Sequence, residues 1–121
     1  LEKEVFFLGY TTDAAVYELY RGAVACVFPS INEGFGMPII EAMSVGTPVL
    51  TSNISSMAEV AGDAAILVNP FSIDEISKGM EELYTDEALR AKLIDRSQAR
   101  VKLFSWPKAA REYVEILERH S

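Results

Sequence analysis

Two glutamates bracket a loop that carries two glycines. Glu33 and Glu41 enclose Gly-Phe-Gly-Met-Pro-Ile-Ile, seven residues. The stretch starts at Pro29-Ser30, where a short apolar run ends, and enters a helix at Pro38, a favoured first-turn residue. Gly34 and Gly36 present no Cβ, so backbone there can approach a ligand closely. The first turn of a helix offers N–H groups without intrahelical acceptors and the positive end of a dipole. Together these make an anion site suited to phosphate, and it needs no cation of its own. A carboxylate in that setting does not bind phosphate. Glu41, one turn inside the helix, can tilt back toward the N-terminus and accept hydrogen bonds from hydroxyls such as those of a ribose. Glu33, ahead of the turn, can accept from a sugar hydroxyl or stabilise developing positive charge. The plainer alternatives are a helix-surface acid for Glu41 and a partner of the helix dipole for Glu33.

The elements that must hold this loop alternate in type. Residues 4–9 read as a short buried strand closed by Gly9, and Thr12 or Asp13 opens a helix to Arg21 with Gly22 behind it. Residues 23–28 form a continuous apolar run, as in a strand buried on both faces of a parallel sheet. The loop and the helix at 37–45, stopped by Gly46, come next, and Pro48 to Thr51 is the following strand. Ser56 and Glu59 suggest a capping box for a short helix ended by Gly62. Ala65 to Val68 is a fourth strand. Ser72 and Glu75 repeat the box for a helix to about Tyr84. Thr85 is placed as the cap of a long helix to about Leu103, and Ser105 as the cap of a last one. Apolar strands joined by helices imply a parallel sheet with right-handed crossovers. The expected class is α/β, a Rossmann-like doubly wound sheet, with residues 1–121 as a single domain. Ligands of such sheets sit at the carboxyl ends of the strands, which is where the Glu33–Glu41 loop begins.

Composition narrows the function. The 121 residues carry 11 basic and 18 acidic side chains, a net charge of −7. An acidic domain is a poor partner for a nucleic-acid backbone, so none is expected. Residues 1–77 hold two basic side chains, Lys3 and Arg21, against ten acidic ones. One Cys and one His leave neither a disulfide nor a structural zinc site. No apolar stretch approaches the roughly 20 residues of a membrane span, and no secretory leader is seen, so a cytoplasmic location is expected. Cys26 reads as a small core residue, His120 as a tail residue, and Trp106 as a helix anchor.

The stretch resembles retaining glycosyltransferases of the glycogen-synthase-like and mannosyltransferase-like group, which carry two glutamates separated by seven residues. The context is similar too: Phe7-Leu8-Gly9-Tyr10, Val27-Phe28-Pro29-Ser30, Glu41-Ala42-Met43, Gly46-Thr47-Pro48-Val49, Ala58-Glu59-Val60 and Phe104-Ser105-Trp106. The resemblance implies the C-terminal, donor-binding domain of a two-domain glycosyltransferase B-type enzyme. The donor would be a nucleotide sugar, and the acceptor a carbohydrate or lipid-linked sugar held by the other domain. By resemblance, Glu33 contacts the donor sugar and supports the transition state, and Glu41 binds the ribose. The backbone of Gly34, Phe35, Gly36, Met37, Pro38 and Ile39 would hold sugar hydroxyls and the diphosphate, with Tyr10 and Thr11 lining the base pocket. No metal or other cofactor is implied. The family's diphosphate-neutralising Lys or Arg has no counterpart, since Lys3 and Arg21 sit in the wrong places. The chain is therefore expected to be part of a longer enzyme, inactive alone, and peripheral at a membrane if the longer enzyme meets one. Two other readings stay open: a non-catalytic nucleotide- or phosphate-binding module, and a sugar-nucleotide epimerase of the same fold. The resemblance would make the four strands the third to sixth of the order 3-2-1-4-5-6. Residues 24–28 would then be an open apolar edge, expected to pair with the strand at 4–9 or with a second copy of the chain.

Overall fold

The computed structural model describes residues 5–9, 12–31 and 37–104. Eight elements follow one another: α1 (Asp13–Gly22), β1 (Cys26–Phe28), α2 (Met37–Ser44), β2 (Val49–Ser52), α3 (Ser55–Ala61), β3 (Ile66–Val68), α4 (Ile73–Thr85) and α5 (Glu87–Leu103). The three strands form one sheet in the order β1-β2-β3. Both pairings are parallel, with Val27 opposite Leu50 and Thr51 opposite Leu67. Parallel neighbours need a crossover, and α2 and α3 supply the two. The class is α/β, as the alternation predicts.

Side chains alternate across the strands, so the sheet has two apolar faces. Val49, Cys26, Phe28 and Leu67 join a core with Ile39, Met43, Met57 and Val60 from α2 and α3, closed by Val101 and Phe104. Leu50, Ile66 and Val68 face the other way, against Leu83 of α4 and Leu93 of α5. Only β2, in the middle, is buried throughout; β1 and β3 are half-buried. This corrects the expectation that 23–28 is covered on both faces. Among the described residues no strand pairs on the far side of β1, and Val24 and Val27 remain exposed.

The strand expected at 4–9 does not form among residues 5–9. Val5, Phe6, Phe7 and Leu8 are all exposed, Phe7 by 96%, and none joins the sheet. A strand exists only where a neighbour offers a ladder. In the order 3-2-1-4-5-6, two strands separate the third from the fourth, so this segment has no adjacent partner here. The expectation that it pairs beside 24–28 is overturned. Three strands rather than four make the described sheet.

Helix ends follow local chemistry in most places. Thr12 caps α1 by accepting from the Ala15 N–H at 3.2 Å. Gly22 is the last residue of α1 rather than the one beyond it, and Ala23 is the C-cap. Ser72 caps α4 by accepting from Glu75 N–H at 3.2 Å. The Glu75 carboxylate turns to the Asn69 N–H instead of completing the box. The cap of α5 is Asp86, accepting from Leu89 N–H at 2.9 Å, and not Thr85. Thr85 stays in α4 and donates to the Glu81 carbonyl. The cap of α3 is Ile54, which makes no side-chain capping bond, so the expected Ser56 box is displaced. Burial of Met57, Val60 and Ala61 sets the register of that helix, and packing overrides the capping preference. The expected helix from Ser105 lies outside the described residues.

Candidate functional site at the carboxyl edge of the sheet

The loop with Glu33, Gly34, Phe35 and Gly36 lies outside the described residues, as do Tyr10 and Thr11. What the structure describes is the frame on which both segments are mounted. α2 starts at Met37, directly after the loop that leaves β1. Ile39 is fully buried in the core, so whatever it offers a ligand comes from its backbone. Pro38 is half-buried and contributes no N–H. The anion-binding potential of this helix end therefore rests on the main chain around Met37, Ile39 and Ile40.

The carboxyl edge is held by hydroxyls that the sequence reading passed over. Thr51 donates its Oγ1 proton to the Phe28 carbonyl at 2.7 Å. Ser52 donates to the Ser30 carbonyl. Both side chains are fully buried. They tie the last residue of β1 and the first residues of the loop to β2. Asn53 N–H continues the stitching to the Val68 carbonyl of β3 at 2.8 Å. A polar pair closing an apolar strand at its carboxyl end was the signal available in the sequence.

Glu41 lies in the second turn of α2, half-buried. The phenol of Tyr20 on α1 lies near its carboxylate. Burial and then the nearby charge of Asp13 raise its pKa, and the polar phenol of Tyr20 opposes them. The same cluster acts on its neighbours. Burial foremost, with Cys26 and Glu41 behind it, pushes the Tyr20 phenol up to about 12. Burial and then Glu41 push the Cys26 thiol up to about 11. Burial, Glu41 and Asp13 raise Tyr17 as well. The fold thus brings the head of α1, which follows Tyr10 and Thr11, next to the carboxylate of α2.

No cation is supplied to this cluster by Arg21. Its guanidinium pairs with Glu18 at 2.7 Å, and both side chains are mostly exposed. A carboxylate next to phenols, a thiol and another carboxylate can accept hydrogen bonds from neutral hydroxyls. It offers nothing to a phosphate. Among the described residues no group of three His, Cys, Asp or Glu side chains converges as a metal site would require. Among them, too, no helix is long and apolar enough to cross a membrane.

Known proteins are similar to the chain in sequence and in fold. The chain is 43% identical over 100 residues to O-antigen chain mannosyltransferase B of Escherichia coli, covering 83% of this chain and 26% of that protein. It is 38% identical over 116 residues to the serotype-specific mannosyltransferase WbdA of Escherichia coli, covering 96% of this chain and 14% of that protein. The structure superposes on sucrose-phosphate synthase from Thermosynechococcus elongatus with a TM-score of 0.83 and 28% identity, covering 97% of this chain and 30% of that one. The chain thus spans about a quarter or less of the length of these two curated relatives. The profile of the glycosyl transferases group 1 family matches residues 1–100, and the chain belongs to that family.

Proposed function

We propose that the chain is the donor-binding part of a retaining hexosyltransferase that uses a nucleotide sugar. Mannose is the favoured sugar, because the curated relatives named above are mannosyltransferases. The observation that supports the reading is the half-buried carboxylate of Glu41 on α2, the helix entered directly from the loop that leaves β1 in a parallel sheet. In this reading Glu41 accepts the ribose hydroxyls, and among the described residues no cation pairs with it. The backbone from Gly34 to Ile39 cradles the diphosphate and the sugar hydroxyls, and Tyr10 and Thr11 border the base. Glu33 stands beside the donor sugar and stabilises the positive charge that develops as the glycosidic bond loosens. The acceptor hydroxyl attacks from the face the diphosphate leaves, so configuration is retained. No metal or other cofactor takes part.

The acceptor, a carbohydrate or a lipid-linked sugar, is held by a further domain of a longer enzyme. That enzyme acts in the cytoplasm, peripheral to a membrane where its acceptor is lipid-linked. The open edge at β1 is where flanking strands of the longer enzyme, or a second copy of the isolated chain, complete the sheet. The test is incubation of the 121-residue chain with nucleotide-linked mannose and a simple mannoside. Donor binding without transfer supports the reading. Turnover by the chain alone contradicts it.

A further inference from the structure

We propose that Thr51 and Ser52 are positioning residues: their buried hydroxyls fix the point at which the chain leaves β1, and through it the placement of the Gly34 to Ile39 backbone against the donor's diphosphate. The proposal rests on the reading of that backbone given above.

The strand β1 ends at Phe28, which lies opposite Thr51 in the parallel register. Pro29 follows and has no N–H to extend the ladder. At the end of β2 the next backbone donor is already spent, since the Asn53 N–H goes to the Val68 carbonyl of β3 at 2.8 Å. Side chains take over at that point. Thr51 donates its hydroxyl proton to the Phe28 carbonyl at 2.7 Å, and Ser52 donates to the Ser30 carbonyl. The two bonds therefore carry the tie between β1 and β2 past the proline. Both side chains are fully buried at the middle strand, where a hydroxyl costs stability unless it is paired. Each hydroxyl has one proton and has given it to a carbonyl, so neither donates to a ligand. Their influence runs through the chain they hold. Residues 31–36 lie between Ser30 and Met37, the first residue of α2. The far end of that stretch is fixed by Ile39, fully buried in the core two residues into α2. A short connection anchored at both ends has few placements open to its backbone, and precision at a site is set by such supporting bonds.

The experiment uses the 121-residue chain and four variants. Thr51→Val keeps the shape and removes the hydroxyl. Thr51→Ser keeps the hydroxyl and removes a buried methyl, which destabilises on its own. Ser52→Ala is matched by Ser97→Ala, which removes a buried hydroxyl bonded to the Leu93 carbonyl at 2.7 Å within α5. Urea unfolding gives the stability of each chain. Carbonyl carbon shifts of Phe28 and Ser30 report the loss of each bond. NMR titration gives affinities for guanosine and uridine diphosphates and for the two nucleosides, which do not reach the loop. Affinity should follow the hydroxyl and not the stability. Thr51→Val and Ser52→Ala should weaken the diphosphate that the parent binds about three- to ten-fold and leave its nucleoside unchanged. Thr51→Ser and Ser97→Ala should bind it like the parent, although both are less stable. Equal weakening by Thr51→Ser and Thr51→Val, equal weakening of diphosphate and nucleoside, or no weakening at all overturns the positioning role and leaves the reading of the loop standing. If the parent chain binds neither diphosphate, the reading of the loop falls and the proposal with it.

Discussion

Gly79 of α4 lies so close to Leu50 of β2 that a Cβ on the glycine would stand 2.4 Å from the leucine Cδ1. The helix rests on the middle strand at the one place where the sheet is buried on both faces. Gly79→Ala should therefore destabilise by about 1–3 kcal/mol through overpacking, less the roughly 1 kcal/mol that Ala gains over Gly in a helix. Urea unfolding measures it. Adding Leu50→Val should recover part of the loss, because the trimmed side chain vacates the clash. A double variant as unstable as the sum of the singles would show that the contact is not as close as described.

The Thr51 hydroxyl ties the end of β1 to β2. Thr51→Val keeps the shape and removes the bond, at an expected cost of about 1 kcal/mol. Ser52→Ala removes the companion bond to Ser30, at a similar cost. The two carbonyls belong to the segment that leads into the Glu33 loop. Both variants should therefore weaken nucleotide binding more than a distant change of equal destabilisation, such as Ser97→Ala in α5. Equal effects on binding from all three would reduce the two hydroxyls to a purely structural role.

Glu41 makes stability depend on pH with an unusual sign. Its folded pKa is raised, so the folded chain holds a proton that the unfolded chain has already released. Its contribution is fully present below the unfolded pKa and is lost as pH rises through the folded value. Glu41→Gln should thus stabilise the chain at neutral pH relative to the parent, with the gain vanishing at acid pH. Thermal unfolding at pH 4 and pH 7 checks it, and a gain at both values would point to packing instead of charge. A carboxylate that costs stability at the pH of use is an ordinary feature of a binding site.

Arg100 closes the carboxyl end of α3. Its guanidinium donates to the Val60 carbonyl at 2.7 Å and to the Glu59 carbonyl, and lies over the Phe104 ring. These are helix-end acceptors with no intrahelical donors of their own. Arg100→Met should cost about 1–3 kcal/mol and leave nucleotide binding unchanged. Chemical denaturation and the same NMR titration separate the two effects.

The sequence carried the order of elements because each strand is an apolar run and helices such as α1 and α4 are amphipathic. Thr12 and Ser72 were legible as caps, since the preceding turn leaves them free to bond. Thr85 was displaced by Asp86, a stronger cap one residue on. Val5 to Leu8 looked like a strand, but pairing depends on a neighbour and not on composition. The same holds for Cys26 to Phe28, whose half-burial reflects an edge that a local reading cannot see. Glu41 was legible from its spacing to Glu33. The approach of Tyr20 to Glu41 depends on packing α1 on α2, a long-range event that a local reading cannot see.

The central claim is that this chain binds a nucleotide sugar through Glu41. Ligand-observed NMR of the chain against a panel of nucleotide sugars, repeated with Glu41→Ala, tests it most directly. The account predicts binding by the parent chain that is lost in the variant only for ligands with an intact ribose. Binding that survives Glu41→Ala unchanged, or no binding of any nucleotide sugar by the parent chain, would contradict it.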